Sequence, residues 1–219
     1  IKNLKKYFFI SLLIFLSIGC NVKRQITENP VLTLTDDSGV EFKFDRYPKK
    51  IISLAPNITE TIFALHSDSL LVGVTKYCNY PPEASKKKIV GGMIDPDIEL
   101  ITELRPDLIL ITNEGNSKAS YQALVNAGFK VFAFNPRDID GIIRMIKSIG
   151  IITNKSTYAN QLSDSILNSK NNFEKLSQLS KPFSALILLS LNPLITCNST
   201  TYINQIIDNS DFFIFPSIS

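Results

Sequence analysis

From Lys50 to Gly150 short apolar runs alternate with stretches of helical length, and this rhythm restricts the chain to an α/β fold built on a parallel sheet covered on both faces. The runs Lys50 to Leu54, Leu70 to Thr75, Leu108 to Thr112 and Phe129 to Phe134 read as strands. Between them, Asn57 to Leu65, Asp95 to Arg105, Ser117 to Ala127 and Ile139 to Ile149 read as helices. Asn57 is placed to cap the first, with Glu60 reaching back as in a capping box. Asp95-Pro96 opens the second, where proline's missing N–H costs nothing, and Gly128 and Gly150 close the third and fourth. Ahead of this alternation, Val31 to Phe44 shows period-two character around Asp36-Asp37-Ser38-Gly39, the pattern of a hairpin.

After Gly150 the rhythm changes. Ser156 to Leu179 contains neither Gly nor Pro, and Tyr158, Leu162, Ile166 and Phe173 recur at helical spacing. One long helix is expected, ended by Pro182. A strand from Phe183 to Leu189, a loop to Ser199 and a helix from Thr201 to Asp208 then start a second alternation, followed by the apolar Phe212-Phe213-Ile214-Phe215. The expected organisation is an N-terminal lobe at 31–153, a connecting helix at 154–181 and part of a C-terminal lobe at 182–219.

The first residues carry an address rather than a fold. Lys2, Lys5 and Lys6 precede an uncharged, mostly apolar run from Tyr7 to Ile18, followed by Gly19-Cys20. As a helix that run spans roughly 18 Å, short of the ~30 Å hydrocarbon layer, so it reads as an export signal over 1–19. Ser17-Ile18-Gly19-Cys20 resembles a bacterial lipobox, with Ser17 where leucine is usual. The resemblance implies cleavage before Cys20, lipidation of Cys20 and a polar tether over 20–30; the alternative is an ordinary signal with a chance cysteine. The leader lysines account for all of the formal +3 charge. The balanced remainder gives no general attraction to nucleic acid. With Cys20 assigned to lipid, only Cys78 and Cys197 remain, which excludes a disulfide framework, and they are expected to stay unbridged. A single histidine, His66, excludes a histidine-cluster metal site; at a helix end it is expected to bond the last carbonyls.

Three lines stand out from this frame. Ile51-Ile52-Ser53-Leu54-Ala55-Pro56-Asn57 ends a strand and begins a helix, where the carboxyl edge of an open sheet takes ligands, or where the turn is merely capped. Tyr77-Cys78-Asn79-Tyr80-Pro81-Pro82 offers flat aromatic faces to a large ligand, or covers a hydrophobic rim. Gly91-Gly92-Met93-Ile94-Asp95-Pro96-Asp97-Ile98-Glu99 joins a flexible turn to an acidic helix start; the aspartates suffice as helix-dipole partners, whereas Glu99 is open to a partner's arginine. No phosphate-binding glycine loop, nucleophile elbow or nucleophile–base pair occurs, so catalysis has no candidate residues.

Together, Arg46-x-x-x-x-Ile-x-Ser-Leu-x-Pro-x-x-Thr-Glu, the Tyr77 line, the Gly-Gly…Glu helix and Leu104-x-Pro-Asp-Leu-Ile resemble the class III periplasmic substrate-binding proteins of bacterial ABC importers for vitamin B12, ferric siderophores and haem. The likeness covers about Val31 to Asp208 and, through Tyr77 to Ala84, lies nearest the cobalamin branch. It implies a bilobed fold, no enzymatic activity and no cofactor. The ligand, cobalamin or an iron chelate, would be held between the lobes and delivered to a membrane permease and its ATPase by a monomeric, exported, lipid-anchored protein facing the periplasm or exterior. By position, Tyr77 would stack on the ligand, and Pro56, Asn57, Gly92 and Met93 would line the same cleft. Asn192 and Pro193 would line it from the second lobe, and Glu99 would salt-bridge the permease. Met93 stands where cobalamin-binding relatives can carry tryptophan, which removes one aromatic wall. The family's second lobe runs on well past the length present here, which implies an incomplete C-terminal lobe. Ferric-siderophore or haem binding, an exported α/β enzyme using the same cleft, and a non-functional remnant are the alternative readings.

Overall fold

The structure is a computed structural model that describes residues 31–177, 183–185, 188–196 and 212–214. The leader, Cys20, the tether, Cys197 and the helix expected at Thr201 to Asp208 lie outside the described residues. Strands β1 (Leu32–Thr35) and β2 (Glu41–Phe44) form the expected antiparallel hairpin, with Leu32 opposite Phe44. Its turn is held by Asp36, whose Oδ1 accepts from the Ser38 and Val40 amides at 2.9 Å each. The other carboxylate oxygen of Asp36 accepts from the Ala133 amide at 3.2 Å, which docks the hairpin on the main sheet.

That sheet has four parallel strands, β3 (Ile51–Ser53), β4 (Leu71–Val74), β5 (Leu108–Thr112) and β6 (Val131–Phe134), in the order β4-β3-β5-β6. Alternate residues along a strand face opposite sides, and here both sides are buried. Ile51, Leu108, Leu110, Phe132 and Phe134 pack under helices α1 (Pro56–Ala64) and α4 (Ile139–Ile152). Ile52, Ile109, Ile111, Val131 and Ala133 pack with Ile101 of α2 (Ile98–Leu104) and Leu124 of α3 (Lys118–Asn126).

Helix boundaries depart from the sequence expectation in three places. Helix α1 is capped by the extended backbone of Ala55, without a side-chain cap; Pro56 occupies the first turn and moves Asn57 inside the helix. Asn57 Oδ1 accepts instead from the Ile58 amide at 3.0 Å, and Glu60 serves no capping box. Helix α2 begins later than Asp95-Pro96, because Pro96 pairs with Gly91 in an isolated bridge; Asp97 is the cap and accepts from the Leu100 amide at 3.0 Å. Gly150 does not end α4, which runs on to Ile152. A Cβ at Gly150 would collide with the Ala159 Cβ of the next helix, α5 (Ser156–Ser177), so the glycine's service is close approach. Ala159 is fully buried, and Leu162 and Ile166 pack on the same core, so the first half of the long helix belongs to the first lobe. The His66 ring sits edge-on to Tyr158 at 5.1 Å, which gives it a packing role on α5 rather than a cap.

Beyond α5, the run expected as one strand is divided. Strand β7 (Phe183–Ala185) pairs in parallel with β10 (Phe212–Ile214), while β8 (Leu188–Leu191) and β9 (Leu194–Thr196) form an antiparallel hairpin.

At the amino edge of the main sheet, Asp107 Oδ2 accepts from the Lys49 and Lys50 amides at 2.7 and 2.9 Å, and Oδ1 meets Arg46 Nη2 at 3.3 Å. Partial burial pushes this carboxyl up, but the two amides and the guanidinium outweigh it and hold it below the ordinary value of 3.8. A carboxyl depressed in the folded state stabilises above its unfolded value and loses that contribution as pH falls through the folded one. Acid unfolding of Asp107→Asn should therefore depend less on pH below about 4 than that of the parent; equal slopes in urea melts across that range would count against the assignment.

Candidate functional site

The strand order sends the chain from β3 to one side and then back across it to β5. The connections after these two strands therefore lead to helices on opposite faces of the sheet. Such a switch point opens a crevice at the carboxyl edge, where open α/β sheets take ligands. One side chain stitches the loops there. Asn116, 9% exposed, donates through Nδ2 to Leu54 O at 3.1 Å and to Met93 O at 2.7 Å, and its Oδ1 accepts from the Thr112 amide at 2.9 Å. It joins the end of β3, the Gly92-Met93 turn and the end of β5. Little in its local pattern marks it out, because two of its three partners, Leu54 and Met93, are distant in sequence.

Beside this stitch lies a cavity of about 460 Å³. Asn57, Glu60 and Thr61 of α1, with Thr112 and Glu114 after β5, supply its polar wall. Ala64, Tyr80, Pro136, Ile142, Met145 and Leu162 supply the apolar remainder, so α4 and the long helix α5 both contribute. Thr61 Oγ1 donates to Asn57 O at 2.7 Å, and Asn57 Nδ2 lies 3.9 Å from Met145 Sδ.

The residues singled out in the sequence divide around this cavity. Asn57 lines it, while Pro56, the first residue of α1, does not. Tyr77 is 52% exposed outside the wall, with Lys76 Nζ 5.3 Å from its ring centroid, whereas its loop neighbour Tyr80 is part of the wall. The intervening Cys78 turns inward as a free, buried thiol between the hydroxyls of Thr59 and Thr75, each at 3.2 Å. Gly92 and Met93 are brought to the β5–α3 loop through Asn116 but do not line the cavity. Gly91 has φ +96, and a Cβ there would press on the Asp95 carbonyl, so this turn requires glycine. Glu99 is exposed in the first turn of α2, a helix that covers the sheet face opposite α1 and α4. Asn192 and Pro193 form the exposed turn of the β8–β9 hairpin and take no part in the cavity wall. Glu60, Glu114 and Asn116 were not singled out for the site from sequence. Among the described residues, no group of three or more His, Cys, Asp or Glu side chains could hold a metal ion.

Residues 51–210 match the periplasmic binding protein family. The chain is 31% identical to the uncharacterized ABC transporter substrate-binding lipoprotein YvrC of Bacillus subtilis, over 84% of this chain and 61% of that protein. It is 26% identical to the vitamin B12-binding protein of Pectobacterium atrosepticum, over 73% of this chain and 59% of that one. The chain thus spans about three fifths of the length of these relatives. The crystal structure of the periplasmic vitamin B12 binding protein BtuF of Vibrio cholerae shares the fold, with a TM-score of 0.71 and 24% identity over 78% of this chain and 68% of that one. The parallel sheet, the long helix after its last strand and a family match across most of the sequence lead to one assignment: the chain belongs to the periplasmic binding protein family, a family of binding proteins and not of enzymes.

Proposed function

We propose that this protein is the substrate-binding component of an ABC importer and that it captures cobalamin or a related corrinoid at the carboxyl edge of its first lobe. The observation that carries the reading is the cavity at the switch point, with an apolar floor and polar wall, in a chain of the binding-protein family. The names of the relatives support it, because one is an ABC transporter substrate-binding lipoprotein and another binds vitamin B12. In this reading residues 182–219 belong to the second lobe and Asn192-Pro193 faces the ligand from there. Tyr77 and the Gly92-Met93 turn complete the cleft, and the ligand passes to a permease and its ATPase. Removal of 1–19 and lipidation of Cys20 hold the monomeric, exported protein at the membrane through the tether at 20–30.

Absorbance titration of the full chain with cyanocobalamin tests the reading, with haem and a ferric siderophore in parallel. Saturable one-to-one binding of cobalamin is expected; saturation by haem or the siderophore alone would move the assignment to those ligands, and saturation by none would overturn it. Tyr77→Ala should weaken cobalamin binding by about 1 kcal/mol through loss of a stacking face. Glu99→Ala, remote from the cavity, should leave binding as it is and reduce cellular uptake. If Glu99→Ala abolishes binding while Tyr77→Ala leaves it intact, these roles are wrong.

A further inference from the structure

The cavity wall has a sign. Glu60 and Glu114 contribute carboxylates, and no Lys, Arg or His is among the lining residues. Neither carboxylate is in an ion pair among the described residues. Arg137 and Arg144, chain neighbours of Pro136 and Met145, are exposed and do not line the cavity. The hydroxyl proton of Thr61 is given to Asn57 O, so this side chain presents lone pairs, and the Asn57 Nδ2 donor is turned to Met145 Sδ at 3.9 Å. The feature that would attract an anion, the start of α1, is blunted. Pro56 has no N–H and the Ile58 amide is taken by Asn57, which leaves only the Asn57 amide of the first three positions. What remains is a rim whose only charged side chains are two carboxylates, over an apolar floor of Ala64, Ile142, Met145 and Leu162.

We propose that Glu60 and Glu114 are specificity-determining residues, which make the site favour a large ligand with an apolar body and a rim of uncharged N–H donors, such as primary amides, over one whose rim bears carboxylates. The inference rests on the binding reading above and refines it. A carboxylate brought to this rim meets Coulomb repulsion that no wall cation offsets, whereas an amide at the same place donates to a charged acceptor.

Two matched pairs of probes isolate the charge: cyanocobalamin with its monocarboxylic acid, in which one peripheral amide is hydrolysed, and haem dimethyl ester with haem. Dissociation constants are measured for the full chain and for the Glu60→Gln/Glu114→Gln double variant, at low and high salt. The uncharged member of a pair that binds is expected to win by about tenfold at low salt, with the ratio shrinking at high salt and falling towards one in the variant. A ratio near one in the parent protein, or one unchanged in the variant, overturns the inference while the binding reading stands. Binding of only the haem pair removes the corrinoid assignment, and the ester-to-acid ratio then decides the charge rule. Failure of all four probes to bind overturns both.

Discussion

Alanine in place of Asn116 should lower the stability of the first lobe by about 3 kcal/mol, since it strands two buried backbone groups and a third that is partly buried. The carbonyls of Leu54 and Met93 lose their donor and the Thr112 amide loses its acceptor. The substitution should also loosen ligand binding, because those three groups end the strands and turn around the site. Asn116→Asp keeps the acceptor for Thr112 but sets a carboxylate oxygen against two carbonyl oxygens, so it should not rescue. Urea unfolding of both variants beside the parent measures the effect. A loss below about 1 kcal/mol for Asn116→Ala would mean that water replaces the stitch and that the loops hold their places without it.

Gly150→Leu should cost about 3 kcal/mol, although leucine is the better helix former, because the added atoms meet the Ala159 Cβ rather than the end of a flexible side chain. Relief requires α4 and α5 to part, and the buried Ile146, Ile149 and Ile152 lie in the same core. Gly150→Ala should do less damage, and Ala159→Gly in that background should restore much of it. A double-mutant cycle of these two substitutions that shows no coupling would rule out the contact as the source.

The strands were legible because parallel strands buried on both faces are continuous apolar runs; β5 occupies the expected Leu108 to Thr112. The helix ends were less so, since competing local signals have to be ranked. Asn57 is a good capping residue beside a proline that prefers the first turn, and the proline prevails. Asp95 and Asp97 are equally good caps until the Gly91–Pro96 bridge claims the residues before Asp97. Gly150 carries the composition of a helix stop, yet its reason lies in another helix. Of the residues that the family motifs pointed to, Asn57 lines the cavity, whereas Pro56, Tyr77 and the Gly92-Met93 turn stay outside its wall. Asn116, Glu60 and Glu114 escaped because the sheet order, not the local sequence, brings them to the loops and the cavity wall.

The half-embedded α5 behaves as a cantilever. Its root, from Ser156 through Ile166, is clamped by Ala159, Leu162 and Ile166, and Leu162 is also part of the cavity wall. The arm from Ile166 to Ser177, beyond the last residue packed on that core, is about 16 Å long at ~1.5 Å per residue. A load applied beyond Ser177 therefore bends the arm more readily than it pivots the helix at Ser156, since pivoting would drag Leu162 and open the packing with α4. The clamp isolates the cavity from small displacements at the far end and passes on only those large enough to strain the root.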